Sequence, residues 1–427
     1  MNKLGHEMHE LCKKLFPICR SITGDGLRQS LSILNLNLPN MELYEVPTGT
    51  KCFDWEVPEE WNINNAYIID PTGKKICDFK KSNLHVVGYS HPINKKVSLQ
   101  ELQDNLYSLP DQPDAIPYIT SYYKKRWGFC LKHNERKNLQ YGDYQVFIDS
   151  ELKDGSLTYG EIIIPGKTEK EIFLSTYLCH PSMANNELSG PVVTTFLGKW
   201  LSERENHYTY RIIFIPETIG SITYLSKNLA EMQKNIIAGF NVSCVGDERA
   251  YSYLPSRTGD TLSDRAALHV LKNRYPGYIS YSYRDRGSDE RQYCSPGVNL
   301  PVCSIMRTKY GCYPEYHTSL DDMSLVTPNG LYGGYEAIRQ TIETIERNET
   351  LRATVPCEPQ LGKRGLYPTI SSKTSSIQVK DMMNILAYAD GNFDMISLAE
   401  LTGKPLWELT PIIKTLKEEG LLEEVKR

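Results

Sequence analysis

From residue 158 onward the sequence alternates between two textures that leave room for one class of fold. Five runs are apolar throughout: GEIIIPG (160–166), EIFLSTYLCH (171–180), YRIIFIPE (210–217), IIAGFNVSCVGD (236–247) and LPVCSIM (300–306). Helical patterns separate them: GPVVTTFLGKWLSERE (190–205), SITYLSKNLAEMQKN (221–235) and RAALHVLKNRY (265–275). A strand with one wet face alternates apolar and polar residues, whereas an uninterrupted apolar strand must be covered on both faces. Strands of this kind alternating with helices predict βαβ units, an α/β fold with helices on both sides of its sheet. A helix over LYGGYEAIRQTIETIERN (331–348) closes the block.

The flanks read differently. Leu4, Met8, Leu11 and Leu15 recur at three- and four-residue spacing, which predicts helix over 2–35 with a break at Thr23-Gly24-Asp25-Gly26. From about Tyr44, short alternating segments are punctuated by Thr48-Gly49, Val57-Pro58 and Asp70-Pro71-Thr72-Gly73, the pattern of a small β-rich module. The tail opens on a loose Pro/Gly/Ser-rich stretch. Three helical patterns follow, VKDMMNILAYAD, SLAELTG and PLWELTPIIKTLKEEGLL, with Gly-containing turns. That succession is a helix-turn-helix pattern, and Leu421-Leu422 before a charged end reads as the start of a wing. The expected domains are 1–43 with 155–355, an inserted module over 44–154, and a winged helix-turn-helix over 359–427.

Nothing in a net charge of −4 points to a nucleic-acid or membrane surface. The 11 cysteines are odd in number, contain no C-x-x-C pair and sit largely in apolar runs, so a reducing compartment is expected. The N-terminal residues hold no apolar run of signal-peptide length, and a cytoplasmic location is the expectation.

Four segments carry candidate chemistry, each at or near a predicted strand end, where open α/β sheets place their sites. In STYLCHPSMANNELSG (175–190), His180 ends a strand and Glu187 precedes a helix; such a pair converges on a metal, or simply caps the helix. In IPETIGS (215–221), Glu217 ends an apolar strand, where partial burial raises a carboxyl pKa as a general base requires; the alternative is charge stabilisation of the next helix N-terminus. In RGSDERQY (286–293), Asp289 or Arg291 could hold a substrate terminus or form a surface ion pair. In YPEYHTSLDD (313–322), His317 sits in a loop with Asp321 and Asp322 near enough in sequence to orient its ring. Two His and two Glu supply the three ligands plus base of a catalytic zinc site, which keeps a position open for water.

This order of motifs resembles the zinc aminopeptidase clan that includes bacterial leucyl aminopeptidases, glutamate carboxypeptidase and glutaminyl cyclase. Asn186-Glu187-Leu188-Ser189-Gly190 stands where the clan has an acid before Ser-Gly. Glu217-Thr218-Ile219-Gly220 resembles its catalytic Glu-Glu pair, Ser288-Asp289-Glu290 its Ser-Asp-His, and His317-Thr318-Ser319-Leu320-Asp321 its final metal His. The resemblance covers about 1–40 and 158–355. It implies a zinc-exopeptidase-like mixed sheet covered by helices. SYYKKRWGFCL and CHPSMANNELSGP further resemble a bacterial aminopeptidase-like family with an inserted β domain and a C-terminal winged helix, often found in polysaccharide-biosynthesis settings.

The sequence departs from the clan at its second-metal ligands. Asn186 stands at the bridging acid, Thr218 replaces the second Glu, and Ser243 aligns with the acid after the third strand, with Asp247 four residues on. One zinc rather than two is therefore expected, on His180, Glu187 and His317, with Glu217 as general base. Asp289, Arg291 and Tyr316 are the expected substrate contacts, and Tyr123 and Trp127 of the insert are candidates to line the site. The implied function is a mono-zinc hydrolase cleaving an amide in a small peptide, an amino-acid conjugate or an acylated sugar. The alternatives are an inactive, peptidase-like ligand- or carbohydrate-binding protein and a winged-helix DNA regulator. Against the last, residues 359–427 hold nine Lys plus Arg and nine Asp plus Glu, too balanced for a phosphate-binding surface. A packing or dimerisation role for the tail is expected instead.

Overall fold

The computed structural model describes residues 3–366 and 373–425. Part of the loose stretch that opens the tail lies outside the described residues. The chain forms two compact units: Met1–Thr261 with Ile279–Glu336, and Leu262–Tyr278 with Ala337–Arg427.

In the first unit the apolar runs form an eight-stranded mixed sheet. Its spatial order is Glu42–Pro47, Ser156–Ile164, Tyr208–Ile215, Thr168–Tyr177, Ile236–Asn241, Val302–Met306, Ser252–Leu254, Ile279–Ser280. The four strands from Tyr208–Ile215 to Val302–Met306 run parallel; an antiparallel strand joins them on each side, and Ile279–Ser280 closes one edge parallel to Ser252–Leu254. The central strands bury both faces, as their sequences demand: all five residues of Val302–Met306 and seven consecutive residues of Thr168–Tyr177 are buried. The helix Ser189–Ser202 is equally apolar and packs tightly. A Cβ on Gly190 would lie 2.4 Å from the carbonyl oxygen of Val242, so only glycine allows that approach.

Between the first two sheet strands the chain builds the β-rich module, a second antiparallel sheet in the order Lys75–Ile76, Glu60–Ile69, Asp143–Lys153, Ile93–Ser98. Burial alternates residue by residue through Tyr144, Val146, Ile148 and Ser150, the period of a half-wet strand. Ala66, Ile68, Val97, Phe129 and Tyr144 fill its core. At its first long strand, Glu60 accepts two hydrogen bonds from the Arg28 guanidinium, one of them at 3.0 Å.

The second unit contains the winged-helix elements. Helices Lys373–Tyr388, Met395–Thr402 and Leu406–Glu418 accompany a three-stranded antiparallel sheet of Asp390–Asp394, Thr350–Ala353 and Leu422–Glu424. Asp394 caps the middle helix by accepting from Ser397 N at 2.9 Å. The helix Leu262–Arg274 belongs to this unit, and its His269 Nε2 accepts the backbone N–H of Leu406 at 2.9 Å. No described helix is long and apolar enough to cross a membrane.

Candidate functional site

The parallel register of the two central strands pairs Tyr177 with Ile215. His180 and Glu217 therefore leave adjacent strand ends side by side, and His180 Nε2 lies 3.6 Å from a Glu217 carboxylate oxygen. His317 reaches the same place from the loop after Val302–Met306, its backbone in the left-handed region at φ 56°. The two imidazole centroids are 5.4 Å apart, and Tyr118 packs edge-on against both rings, at 5.0 and 5.3 Å.

Glu187 lies on a π-helical turn, Ala184–Leu188, that runs directly into Ser189–Ser202. Such wide turns recur at functional sites because they aim a side chain that an α-turn would carry past. Glu187 is fully buried. Its Oε1 accepts the backbone N–H groups of Cys179 and His180, the latter at 2.9 Å, and its Oε2 meets His180 Nδ1 at 2.5 Å. Arg20, 1 % exposed, sits behind this carboxylate: Nε is 3.9 Å from Glu187 Oε1 and donates to the His180 carbonyl at 3.0 Å. By proximity alone, Cys179, His180 and Glu187 bring metal-capable donor atoms within 4.8 Å of one another. Only the opposite ring nitrogen, Nε2, turns toward Glu217.

That side opens into a cavity of about 330 Å³ lined by His180, Glu217, His317, Thr218, Arg291 and a wall of Tyr118, Tyr122, Tyr123 and Trp55. The 116–123 segment of the β-rich module is fastened over it. Tyr118 N donates to the His317 carbonyl at 2.9 Å and Ser319 N to the Ile116 carbonyl at 2.8 Å. Beneath Glu217 the backbone makes a rare turn. Thr218 has φ 63° and ψ −77°, and Ile219 N donates to the Glu217 carbonyl at 2.8 Å, a γ-turn that an L-residue adopts only under strain. Asp289 Oδ1 holds it by accepting from Thr218 N and Ser221 Oγ, both at 2.8 Å, and Arg291 donates to Thr218 Oγ1 at 2.6 Å.

The electrostatics separate the two imidazoles. Burial and the neighbouring His180 depress His317 to about 3, so it is neutral over the whole working range. Burial opposes a charged His180, but Cys179 and Glu187 outweigh it and raise that pKa. Burial raises Glu217 against the opposing pull of His180 and Arg291. Burial and the neighbouring Glu217 raise Asp289.

The structure thus brings His180, Glu187, Glu217, His317 and Arg291 together. Asp289 is buried behind Thr218 and does not line the cavity. Tyr316 stacks on the His317 ring at 3.9 Å and 14° without lining the cavity either. Asp247 spends its carboxylate on Asn185, Arg249 and Thr308, and Asn186 Oδ1 is 3.3 Å from the Tyr177 hydroxyl; neither residue lines the cavity. Two expectations are corrected. Asp321 does not orient His317: its carboxylate accepts the backbone N–H groups of Ala184, Asn185 and Asn186 at 2.6–3.2 Å, because the first turn of the π-segment offers unpaired donors that attract an acid. Asp322 bonds Ser324 instead. Trp127 packs into the core of the small sheet and leaves Tyr123 and Trp55 at the cavity. Sequence reasoning missed Arg20 and Trp55; a lone arginine in a loop gives no local sign of its burial.

Comparison with known proteins agrees with this architecture. Residues 9–348 match the family described as "Domain of unknown function (DUF4910)", and residues 349–424 match a winged helix-turn-helix family. A Clostridium acetobutylicum protein, provisionally named a polysaccharide biosynthesis protein with aminopeptidase-like domain, is 46 % identical over 404 residues, 94 % of this chain and 92 % of that one. A crystal structure of a provisionally named peptidase from Clostridium acetobutylicum superposes with a TM-score of 0.93 at 44 % identity, covering 99 % of this chain and 96 % of that one. The zinc aminopeptidase of Bacillus subtilis shares the fold, with a TM-score of 0.58 at 12 % identity over 79 % of this chain and 94 % of its own. The chain belongs to the DUF4910 family, with an aminopeptidase-like α/β fold followed by a winged helix-turn-helix.

Proposed function

We propose that the protein is a peptidase-type hydrolase that cleaves an amide in a small peptide, an amino-acid conjugate or an acylated sugar, with one zinc ion at the cavity. The observation that carries this reading is the convergence of His180 Nε2, His317 and Glu217 on one small cavity while Glu187 holds the far side of His180. Two imidazoles meet at the cavity, with Glu217 as the acid beside them, so the three donors of a catalytic zinc site are present only if the Glu217 carboxylate shares the ion; Glu187 behind His180 Nδ1 is the supporting carboxylate of such sites.

In this proposal His180 and His317 hold the ion, and Glu187 aligns His180 rather than binding directly, a change from the role expected of it in the sequence. When bound, zinc supplies a Lewis acid that polarises the scissile carbonyl and lowers the pKa of water. The chain's own residues do the rest. Glu217, raised by burial, takes a proton from the attacking water and returns it to the leaving nitrogen. Tyr118 and Tyr122, on the 116–123 segment of the β-rich module, form an aromatic wall of the cavity. The size of the cavity restricts the substrate to a small molecule.

The winged helix we read as a packing element. DNA readers of this type present the first turn of their last helix to base edges. Here that turn is occupied: Leu406 N is bonded to His269, and Trp407 lies between the His269 ring at 5.6 Å and the Arg274 guanidinium at 4.3 Å. Absence of binding to duplex DNA at low salt is expected. Light scattering will show whether the same module joins two copies of the chain.

A panel of N-acyl amino acids, amino-acid amides and N-acyl amino sugars, incubated with zinc-loaded protein, tests the reading. Hydrolysis of at least one class, reduced at least a hundredfold in Glu217→Gln, is the expected result. Turnover unaffected by that change would remove Glu217 from the chemistry.

A further inference from the structure

A cavity that hydrolyses a small amide must also hold the substrate's free end, and the two kinds of end need opposite charges. An ammonium end requires an acid, and a carboxylate end requires a cation, best a guanidinium fork. The acids around the site other than Glu217 lie outside the cavity wall. Glu187 is fully buried on His180, two backbone amides and the neighbouring Arg20. Asp289 lies behind Thr218, with Oδ1 on Thr218 and Ser221 and its buried Oδ2 without a hydrogen-bond partner among the described residues. Glu217 is the acid that lines the cavity, and it is the proposed base. The residue after it is Thr218, which brings no charge.

The remaining charged side chain in the cavity wall is Arg291. It donates one hydrogen bond, from Nη2 to Thr218 Oγ1 at 2.6 Å, and its buried Nε has no hydrogen-bond partner among the described residues. A guanidinium carries five N–H donors, so most of its capacity is unspent. Its position is also fixed in advance. Asp289 and Arg291, two residues apart at one short helix, grip the N–H and the hydroxyl of the same strained Thr218. Holding a side chain this way removes the ordering cost that a free arginine would meet on binding an anion.

We infer that the site selects substrates with a free carboxylate within one residue of the scissile amide, such as N-acyl amino acids, and that Arg291 is the carboxylate receptor. The inference rests on the hydrolase reading for the reaction but not for the binding. In the reaction, water adds its oxygen to the acyl carbon and the C–N bond breaks. The acyl part leaves as a carboxylic acid, and the amine takes the proton that Glu217 removed from water. An aminopeptidase-type substrate, with a free ammonium and no carboxylate, would place a cation against Arg291 and is disfavoured.

Three compounds matched in side chain separate the cases: N-acetylphenylalanine, N-acetylphenylalaninamide and phenylalaninamide. On the zinc-loaded full chain, kcat/KM for the first is expected to exceed both others by at least tenfold. In Arg291→Gln, which keeps a donor for Thr218, the ratio of the first to the second is expected to fall to near one. Arg291→Lys, which keeps the charge without the fork, is expected to retain part of the ratio, and a thermal melt of each variant reports folding. Binding to Glu217→Gln, followed by isothermal titration calorimetry, reads the receptor without turnover. If no compound is cleaved but N-acetylphenylalanine still binds at least tenfold more tightly than its amide and loses this in Arg291→Gln/Glu217→Gln, the receptor stands and the hydrolase reading fails. Cleavage with equal or higher kcat/KM for phenylalaninamide, or carboxylate binding indifferent to Arg291, would overturn the inference and leave the hydrolase reading intact.

Discussion

Glu187 and His180 are bonded twice, through the backbone N–H at 2.9 Å and through Nδ1 at 2.5 Å, so one buried acid fixes both the position and the tautomer of the imidazole. The neighbouring charge is Arg20, itself buried. Removing one member of a buried ion pair strands the other in a low-dielectric interior at a cost of about 3–5 kcal/mol. Glu187→Gln and Arg20→Met are each expected to lower unfolding stability by about that amount in urea titrations. The double variant should lose distinctly less than the sum, because neither charge is then left alone. Strict additivity would show that the pair is not coupled.

Thr218 offers a test of stored strain. In the middle of a helix or strand, glycine is less stable than alanine by roughly 0.5–1 kcal/mol, because the unfolded chain has more freedom to lose. At φ 63° and ψ −77° the order should invert. Alanine keeps a Cβ in a conformation that disfavours one, whereas glycine relieves it. Thr218→Gly is expected to melt higher than Thr218→Ala, and the usual ranking would mean that the γ-turn relaxes in solution.

Glu60 gives the attachment of the β-rich module a pH signature. Its hydrogen bonds with Arg28 hold the carboxyl at about 2, below the ordinary value of 4.5. Below about 4.5 the unfolded chain takes up a proton that the folded chain refuses. The stabilisation is therefore complete above about 4.5 and drains away as pH falls toward about 2. Urea midpoints from pH 6 down to 3 should decline less steeply in Glu60→Gln than in the wild type. Parallel profiles would assign the acid sensitivity to other groups.

The fold was legible because its strands are apolar on both faces and its helices keep their period, so local pattern and tertiary burial agree. His180, Glu217 and His317 were legible for a related reason: each breaks an apolar or loop pattern where a parallel sheet delivers its site. What the sequence hid depends on contacts distant along the chain. Arg20 lies 167 positions before Glu187, and no periodicity announces that the two meet. Asp321 is four residues from His317, yet it serves the amides of 184–186, since unpaired donors at a helix start outcompete a ring already packed between Tyr118 and Tyr316. The helix Leu262–Arg274 reads as part of the α/β alternation and groups with the winged helix, through His269.

In the proposed site His180 and His317 hold a metal and Glu187 supports one of them. Elemental analysis of the full chain, purified without chelator or affinity-tag metal, tests it directly. About one zinc per chain is expected in the wild type and none in His180→Ala or His317→Ala. Glu187→Gln should still bind zinc, with affinity weakened by roughly 10–100-fold, the usual effect of losing a group that orients a ligand. A wild type that takes up no zinc even when the ion is added back, or histidine variants that keep their full content, would contradict the account.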